Sequence, residues 1–281
     1  MKIAIIGEAN RAEAWEKHLR GLSAVQEVII SPVLLQDPVD GCIILDDSIN
    51  NLNLLFDAVR RGFHSYLVAQ MPLDESMIEK IYHASEEAQV NVQFSHWPSH
   101  SPSTQWIKQQ MPKPTLIQIK KELSSNGGSE GSRSFEQQWV DELAFIIRFY
   151  QSSIQHIVAK PIRIEDRWLG LQITLRFDDG AVASLQYNTA AEKEVHQRIL
   201  SSNNMIIDCD VITQKSRRIE VNKDKRIKTT NKSFDPTETV QLSVMNFIKS
   251  IQIKKKSEFS AYDALKTVQA HGKIIENLRR F

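Results

Sequence analysis

Residues Gly7 to Ala12 read G-E-A-N-R-A and follow directly on K-I-A-I-I. A β-branched run that empties into a glycine turn and then a helix sets backbone N–H groups and a helix dipole against a phosphate. In a dinucleotide loop the first glycine makes the turn. The second lets the backbone approach the pyrophosphate, and the third permits close packing of helix on strand. Gly7 keeps the first role and Ala12 is small enough for the third, but Ala9 carries a methyl group at the second. A left-handed backbone there would add about 1–2 kcal/mol of strain. Asn10 and Arg11 lie where a guanidinium and a helix N-terminus hold an anion together, and Glu8 opposes them. Two readings stay open, a weakened nucleotide site or a turn kept for the fold.

Other residues offer other chemistry. Asp46 and Asp47 end the apolar run from Gly41 to Leu45, at the strand end where open α/β sheets bind ligands. Paired carboxylates there suit a cation or a polyol, or, with Ser48, a cap for the next helix. The strand E-V-I-I-S ends on Ser31 and Pro32, so the carboxylate that normally accepts ribose hydroxyls is missing, and Asp37 before Pro38 reads as a turn residue. His96 and His100 stand four apart in S-H-W-P-S-H, but Pro98 argues against the helix that would bring both to one metal. No metal site is expected. With Trp97 and Trp106 that segment either walls a ligand pocket or packs between domains. Cys42 and Cys209 sit in apolar runs and read as buried thiols of a reducing compartment.

The elements that must position these groups follow from hydrophobic period. Short apolar runs at Lys2 to Ile6, Glu27 to Ile30, Gly41 to Leu45, His64 to Ala69 and Val90 to Phe94 alternate with helical patterns at Arg11 to Leu22, Ile49 to Arg61 and Asp74 to Ala88. This alternation predicts a doubly wound parallel sheet over residues 1–111. Ser124 to Ser134 reads as a Gly/Ser-rich loop and Phe135 to Tyr150 as a helix. Closely spaced strand patterns then run from Ile157 to Thr230, with a D-D-G turn at Asp178 to Gly180, and predict an open antiparallel sheet in a second domain over residues 112–281. Helices at Thr237 to Ile251 and Ser260 to Arg279 close the chain, and the last is expected to reach back to the N-terminal domain.

The chain has 281 residues, with 35 Lys and Arg against 34 Asp and Glu, so no overall field draws it to nucleic acid or an anionic membrane. The basic run from Lys215 to Lys232 alternates with Ile219, Val221 and Ile227 and lacks interleaved aromatics, as an edge hairpin does. No apolar stretch approaches about 18 residues, and the N-terminal run is too short for a signal peptide. A cytoplasmic protein without membrane or nucleic-acid partners is expected.

The order of parts resembles the Gfo/Idh/MocA family of glucose-fructose oxidoreductases and inositol dehydrogenases. The resemblance lies in K-I-A-I-I-G at the start, V-D-G-C-I-I-L at Val39 to Leu45, A-V-R-R-G-F-H-S-Y-L-V-A-Q-M-P-L at Ala58 to Leu73, and S-A-Y-D-A-L-K-T-V at Ser260 to Val268. It implies an N-terminal Rossmann domain, a C-terminal sheet domain, NAD or NADP as hydride carrier, a sugar or polyol substrate, and a homodimer through the C-terminal sheet. By that resemblance Gly7, Ala9, Asn10, Arg11, Ala12, Asp46, Gln70 and Pro72 line the cofactor. The family's E-K-P reads here as Gln70, Met71 and Pro72, so a methionine stands where a lysine relays a proton. The family's D-x-G-x-H-x-x-D helix corresponds to F-E-Q-Q-W-V-D-E-L-A-F-I-I-R-F-Y, with Gln138 or Phe145 in the histidine slot. Asp141, His96 and Tyr66 are the remaining acid-base candidates, and Glu142 beside Asp141 reads as a solvated carboxylate. The expectation is a divergent, catalytically impaired member that binds or regulates and holds nucleotide weakly or not at all. The alternative is an active NAD(P)-dependent oxidoreductase with relocated acid-base groups.

Overall fold

The computed structural model describes residues 1–124, 134–150, 152–221 and 224–281. Apart from its end residues, the loop read for Ser124 to Ser134 lies outside them. The N-terminal elements are β1 (Lys2–Ile6), α1 (Ala9–Arg20), β2 (Glu27–Ser31), β3 (Gly41–Ile44), α2 (Asn51–Arg60), β4 (His64–Leu67), α3 (Glu75–Ala88), β5 (Val92–Phe94), α4 (Trp97–His100) and α5 (Pro102–Gln110). After them come β6 (Leu116–Ser124), α6 (Gln137–Phe149), β7 (Ile154–Ile164), β8 (Arg167–Phe177), β9 (Val182–Ala191), β10 (Val195–Ser202), β11 (Met205–Asp210), β12 (Lys215–Val221), β13 (Ile227–Ser233), α7 (Glu238–Gln252) and α8 (Ala261–Leu278).

Two compact units result, one of residues 1–100 with 237–269, the other of residues 101–236 with 270–281. The first unit takes in α7 and the first turns of α8.

In the first unit, five parallel strands stand in the order β2-β1-β3-β4-β5. The interior of β1 is wholly apolar and buried, as a strand covered on both faces must be. Trp15 and Leu19 of α1 meet Ile3, Ile5, Ile43 and Tyr66 in one core, which Val244, Phe247 and Ile248 of α7 complete. Each fully buried aliphatic or phenyl side chain contributes about 1.5–3 kcal/mol. Asp74 starts α3 by accepting a hydrogen bond from the Met77 N–H at 3.0 Å. No helix occupies the connection from Ser31 to Asp40, in keeping with its short length.

Among the described residues the second unit holds eight strands in the order β13-β12-β11-β10-β6-β9-β8-β7. This sheet is mixed rather than antiparallel throughout, because β6 enters between β10 and β9 and runs parallel to β9. Strand β6 and helices α4 and α5 go beyond the sequence expectation. Ser101 caps α5 by accepting from the Thr104 N–H at 3.3 Å, and Pro102 fills the first turn, where a missing N–H costs nothing. Ile117, Ile119, Ile173, Leu175, Leu185 and Leu200 point from the sheet into a core with Leu143 and Ile146 of α6. The opposite face carries Gln118, Lys120, Gln172, Ser184, Gln186 and Gln197, with Ile206 opposite Ile219.

Candidate nucleotide site

In the strand order of the first unit, the chain turns one way from β1 to β2 and the other way to β3. The carboxyl ends of β1 and β3 therefore flank the crevice where such sheets bind ligands. Gly7 leaves β1 there, its N–H donating to the Ser31 carbonyl at 3.0 Å. A Cβ on Gly7 would lie 3.0 Å from both the Leu45 Cβ and the Leu45 carbonyl oxygen, so glycine is needed for the approach of this turn to β3. Ala12 is fully buried under the sheet, as the third loop position requires. Ala9 is the first residue of α1 and is not among the positive-φ residues, so the anticipated left-handed strain does not arise. Ala9 and Asn10 are exposed, and Glu8 precedes the helix without a side-chain cap bond.

Charge on this rim is already arranged. Arg11 donates to Asp47 Oδ2 at 2.7 Å, joining the α1 turn to the β3 turn across the crevice mouth. Asp46 accepts from the Ser48 N–H at 2.7 Å and the Ser48 hydroxyl at 2.9 Å, while its carbonyl accepts from Asn51 Nδ2 at 3.1 Å. These bonds order the turn; helix α2 itself starts after Asn50, without a side-chain cap. The expected capping by Asp46 or Ser48 is thus replaced by a turn one step earlier. These two loops carry three carboxylates, Glu8, Asp46 and Asp47, with one cation, Arg11. Ser31, at the end of β2, is buried and bonds its hydroxyl to the Val33 carbonyl at 2.6 Å, so no carboxylate is presented to a ribose at this position. The turn and the packing position fit a dinucleotide; the charge balance and the ribose position do not.

The residues after β4 continue the pattern. Gln70 is exposed, Met71 is buried and Pro72 is half-buried, so the thioether occupies the interior where the family resemblance implies an ammonium. The Ser95 hydroxyl ties the ends of β4 and β5 by donating to the Ala69 carbonyl at 2.8 Å. Tyr66 is wholly buried, donates its hydroxyl to Ser243 at 3.0 Å, and has its pKa raised by burial. His96 is buried too, its Nδ1 2.7 Å from the Ser99 hydroxyl and its ring centroid 4.5 Å from that of Phe259. Both side chains are buried within the first unit.

The second unit places Asp141 half-buried on α6. Its neighbour Glu142 is only 2% exposed and is no solvated carboxylate. Arg198 of β10 grips it through Nε at 2.8 Å and Nη2 at 2.6 Å, and His196 Nε2 lies 2.9 Å away. The guanidinium stacks 4.2 Å over the Phe145 ring. Burial alone would raise the Glu142 pKa, but the Arg198 charge and then His196 hold it well below the usual carboxylate range. A signal for this cluster exists in β10, where His196 and Arg198 are two apart and so face the core together. Nearby, the Lys121 ammonium donates to the Gln138 carbonyl at 2.7 Å, and the Tyr187 hydroxyl donates to the Gln138 side chain. Of the two positions that resemblance offers for a catalytic histidine, Gln138 is thus an amide already in use, and Phe145 lies under the Arg198 guanidinium. Among the described residues no group of three or more His, Cys, Asp or Glu is placed to hold a metal. No helix among them is long and apolar enough to cross a membrane.

A parallel sheet with its crevice at the β1/β3 switch, followed by a large mixed sheet backed by α6, is a fold shared with solved dehydrogenases of the Gfo/Idh/MocA type. UDP-N-acetylglucosamine 3-dehydrogenase GnnA from Acidithiobacillus ferrooxidans superposes with a TM-score of 0.81 at 10% identity, over 100% of this chain and 98% of that one. Levoglucosan dehydrogenase, solved with NADH and L-sorbose, gives 0.77 at 11% identity, over 100% and 97%. A putative myo-inositol dehydrogenase from Sinorhizobium meliloti gives 0.73 at 10% identity, over 100% and 98%. The sequence itself matches no protein-family model and no curated protein.

Proposed function

We propose that this chain keeps the dehydrogenase fold as a binding or regulatory protein, with hydride-transfer catalysis impaired and NAD or NADP held weakly or not at all. The observation that carries this reading is the Arg11–Asp47 ion pair across the crevice mouth. The cation that would meet a pyrophosphate is neutralised, and Glu8 and Asp46 remain to repel one. A sugar or polyol is the ligand class in this reading, since carboxylates accept hydrogen bonds from adjacent hydroxyls. We include a homodimer through the open sheet face, supported by the family resemblance and the Ile206–Ile219 pair, and a cytoplasmic location, supported by two free buried thiols.

A second reading, an active NAD(P)-dependent oxidoreductase using Asp141, is favoured by full-length similarity to a dehydrogenase solved with NADH. Titration of the purified protein with NADH and NADPH, followed by nicotinamide fluorescence and thermal shift, separates the two. No saturable binding up to about 1 mM is expected, which is about −4 kcal/mol or weaker. Submicromolar binding with slow oxidation of a sugar or polyol would overturn the impaired reading.

A further inference from the structure

We propose that β13 is a docking edge for an extended acidic segment of a partner protein, which joins the sheet as an additional strand. The proposal is independent of whether nucleotide binds. Strand β13 ends the sheet order, and all seven of its residues, Ile227–Ser233, are exposed. Its register with β12 runs from Lys215↔Ser233 to Val221↔Ile227 without a shift, so the outer backbone edge is straight and, among the described residues, carries no further strand. The opposite edge of the same sheet is different. Strand β7 is interrupted by Pro161 and by register shifts near Ile154 and Ile162, devices that stop another strand from pairing. Only charge guards β13.

That charge is selective. Lys228 and Lys232 project to one face, on either side of Thr230, opposite Glu220, Arg218 and Ser216 of β12. Glu220 is shared between Arg218 at 3.1 Å and Lys228 at 3.9 Å, so one carboxylate stands between two cations. The Lys232 ammonium lies 5.3 Å from the Phe234 ring centroid and 5.9 Å from that of Trp106, which fixes where its charge sits. On the other face, Ile227 is 74% exposed, and Asn231 and Ser233 border an open concavity of about 440 Å³ that Lys215, Arg217, Asp208 and Asp210 also line, Arg217 being paired with Asp208 at 2.9 Å, so selection for acid rests on the Lys228 and Lys232 face. A second copy of β13 would bring lysines against lysines and is disfavoured. An extended segment with carboxylates at alternate positions would set two of them about 13 Å apart, the spacing of residues four apart on a strand and so of Lys228 and Lys232. Main-chain bonds then supply affinity and the lysines supply selection, the mode known as strand addition.

The test uses the full chain and a fluorescent peptide of alternating Glu and Val, read by polarisation. Saturable binding is expected, weakening as salt rises and falling at least about tenfold in the Lys228→Glu/Lys232→Glu protein, whose folding is checked by circular dichroism. The same peptide N-methylated at alternate residues should not bind. Equal binding of the N-methylated peptide, or of a single-stranded oligonucleotide of the same charge, would reduce the edge to a non-specific cationic patch and overturn the proposal. So would no binding of the unmodified peptide at millimolar concentration.

Discussion

Removing the Glu142 carboxylate leaves the Arg198 guanidinium, itself only 2% exposed, without its ionic partner inside the second unit. Losing one member of a buried pair typically costs about 3–5 kcal/mol, whereas replacing both by apolar groups of similar volume is often close to neutral. Glu142→Ala is therefore expected to take about a fifth or more of a stability of about 5–15 kcal/mol. At about 2–4 °C per kcal/mol for a unit of this size, the thermal midpoint should fall by about 6–20 °C. Urea unfolding gives the free energies, and Trp139, fully buried on the same helix, reports by fluorescence. Glu142→Leu with Arg198→Met in one protein should recover most of the loss, the double-mutant coupling isolating the pair. Acid provides a second axis. Because the folded pKa of Glu142 is depressed, its contribution is present above the unfolded value of about 4.3 and disappears as pH falls from there through the folded value. The gap between wild type and Glu142→Gln should accordingly narrow below about pH 4. A Glu142→Ala loss under about 1 kcal/mol, or a double variant as unstable as the sum of its parts, would refute the reasoning.

Two further outcomes test other parts of the structure. Gly7→Ala should cost about 1–3 kcal/mol by urea titration, because the new methyl group meets Leu45 and must push the α1 turn from β3. Cys42, whose thiol is pushed up to about 12 by burial, should resist iodoacetamide at pH 8 in the folded protein and react readily in urea, as followed by mass spectrometry.

The first unit was the more legible because its signals are local. Each of its strands is a short run of apolar residues ended by a polar turn, and each helix carries its own period. In the second unit, β6 alternates faithfully through Ile117 and Ile119 but then places Lys121 on the inward side, where the ammonium finds the Gln138 carbonyl. That tertiary partner hides the strand from its own pattern. Glu142 was misread for the same reason: Arg198 lies 56 residues away on another strand, and nothing beside Glu142 announces it. At the crevice the residue types were readable, while the pairing of Arg11 with Asp47 depends on the approach of two loops 36 positions apart.

Helix α7 also sets an order of events during synthesis. Val244, Phe247 and Ile248 belong to the core formed by Ile3, Ile5 and Tyr66, yet more than half the chain separates them. As the polypeptide leaves the ribosome, the parallel sheet emerges early and must wait, with this side of its core uncovered, until α7 appears. The intervening residues 101–236 make up nearly all of the second unit, so they can condense first. A nascent chain halted before Glu238 would lack the α7 side chains of this core, and completion of the N-terminal layer becomes one of the last steps in making the protein.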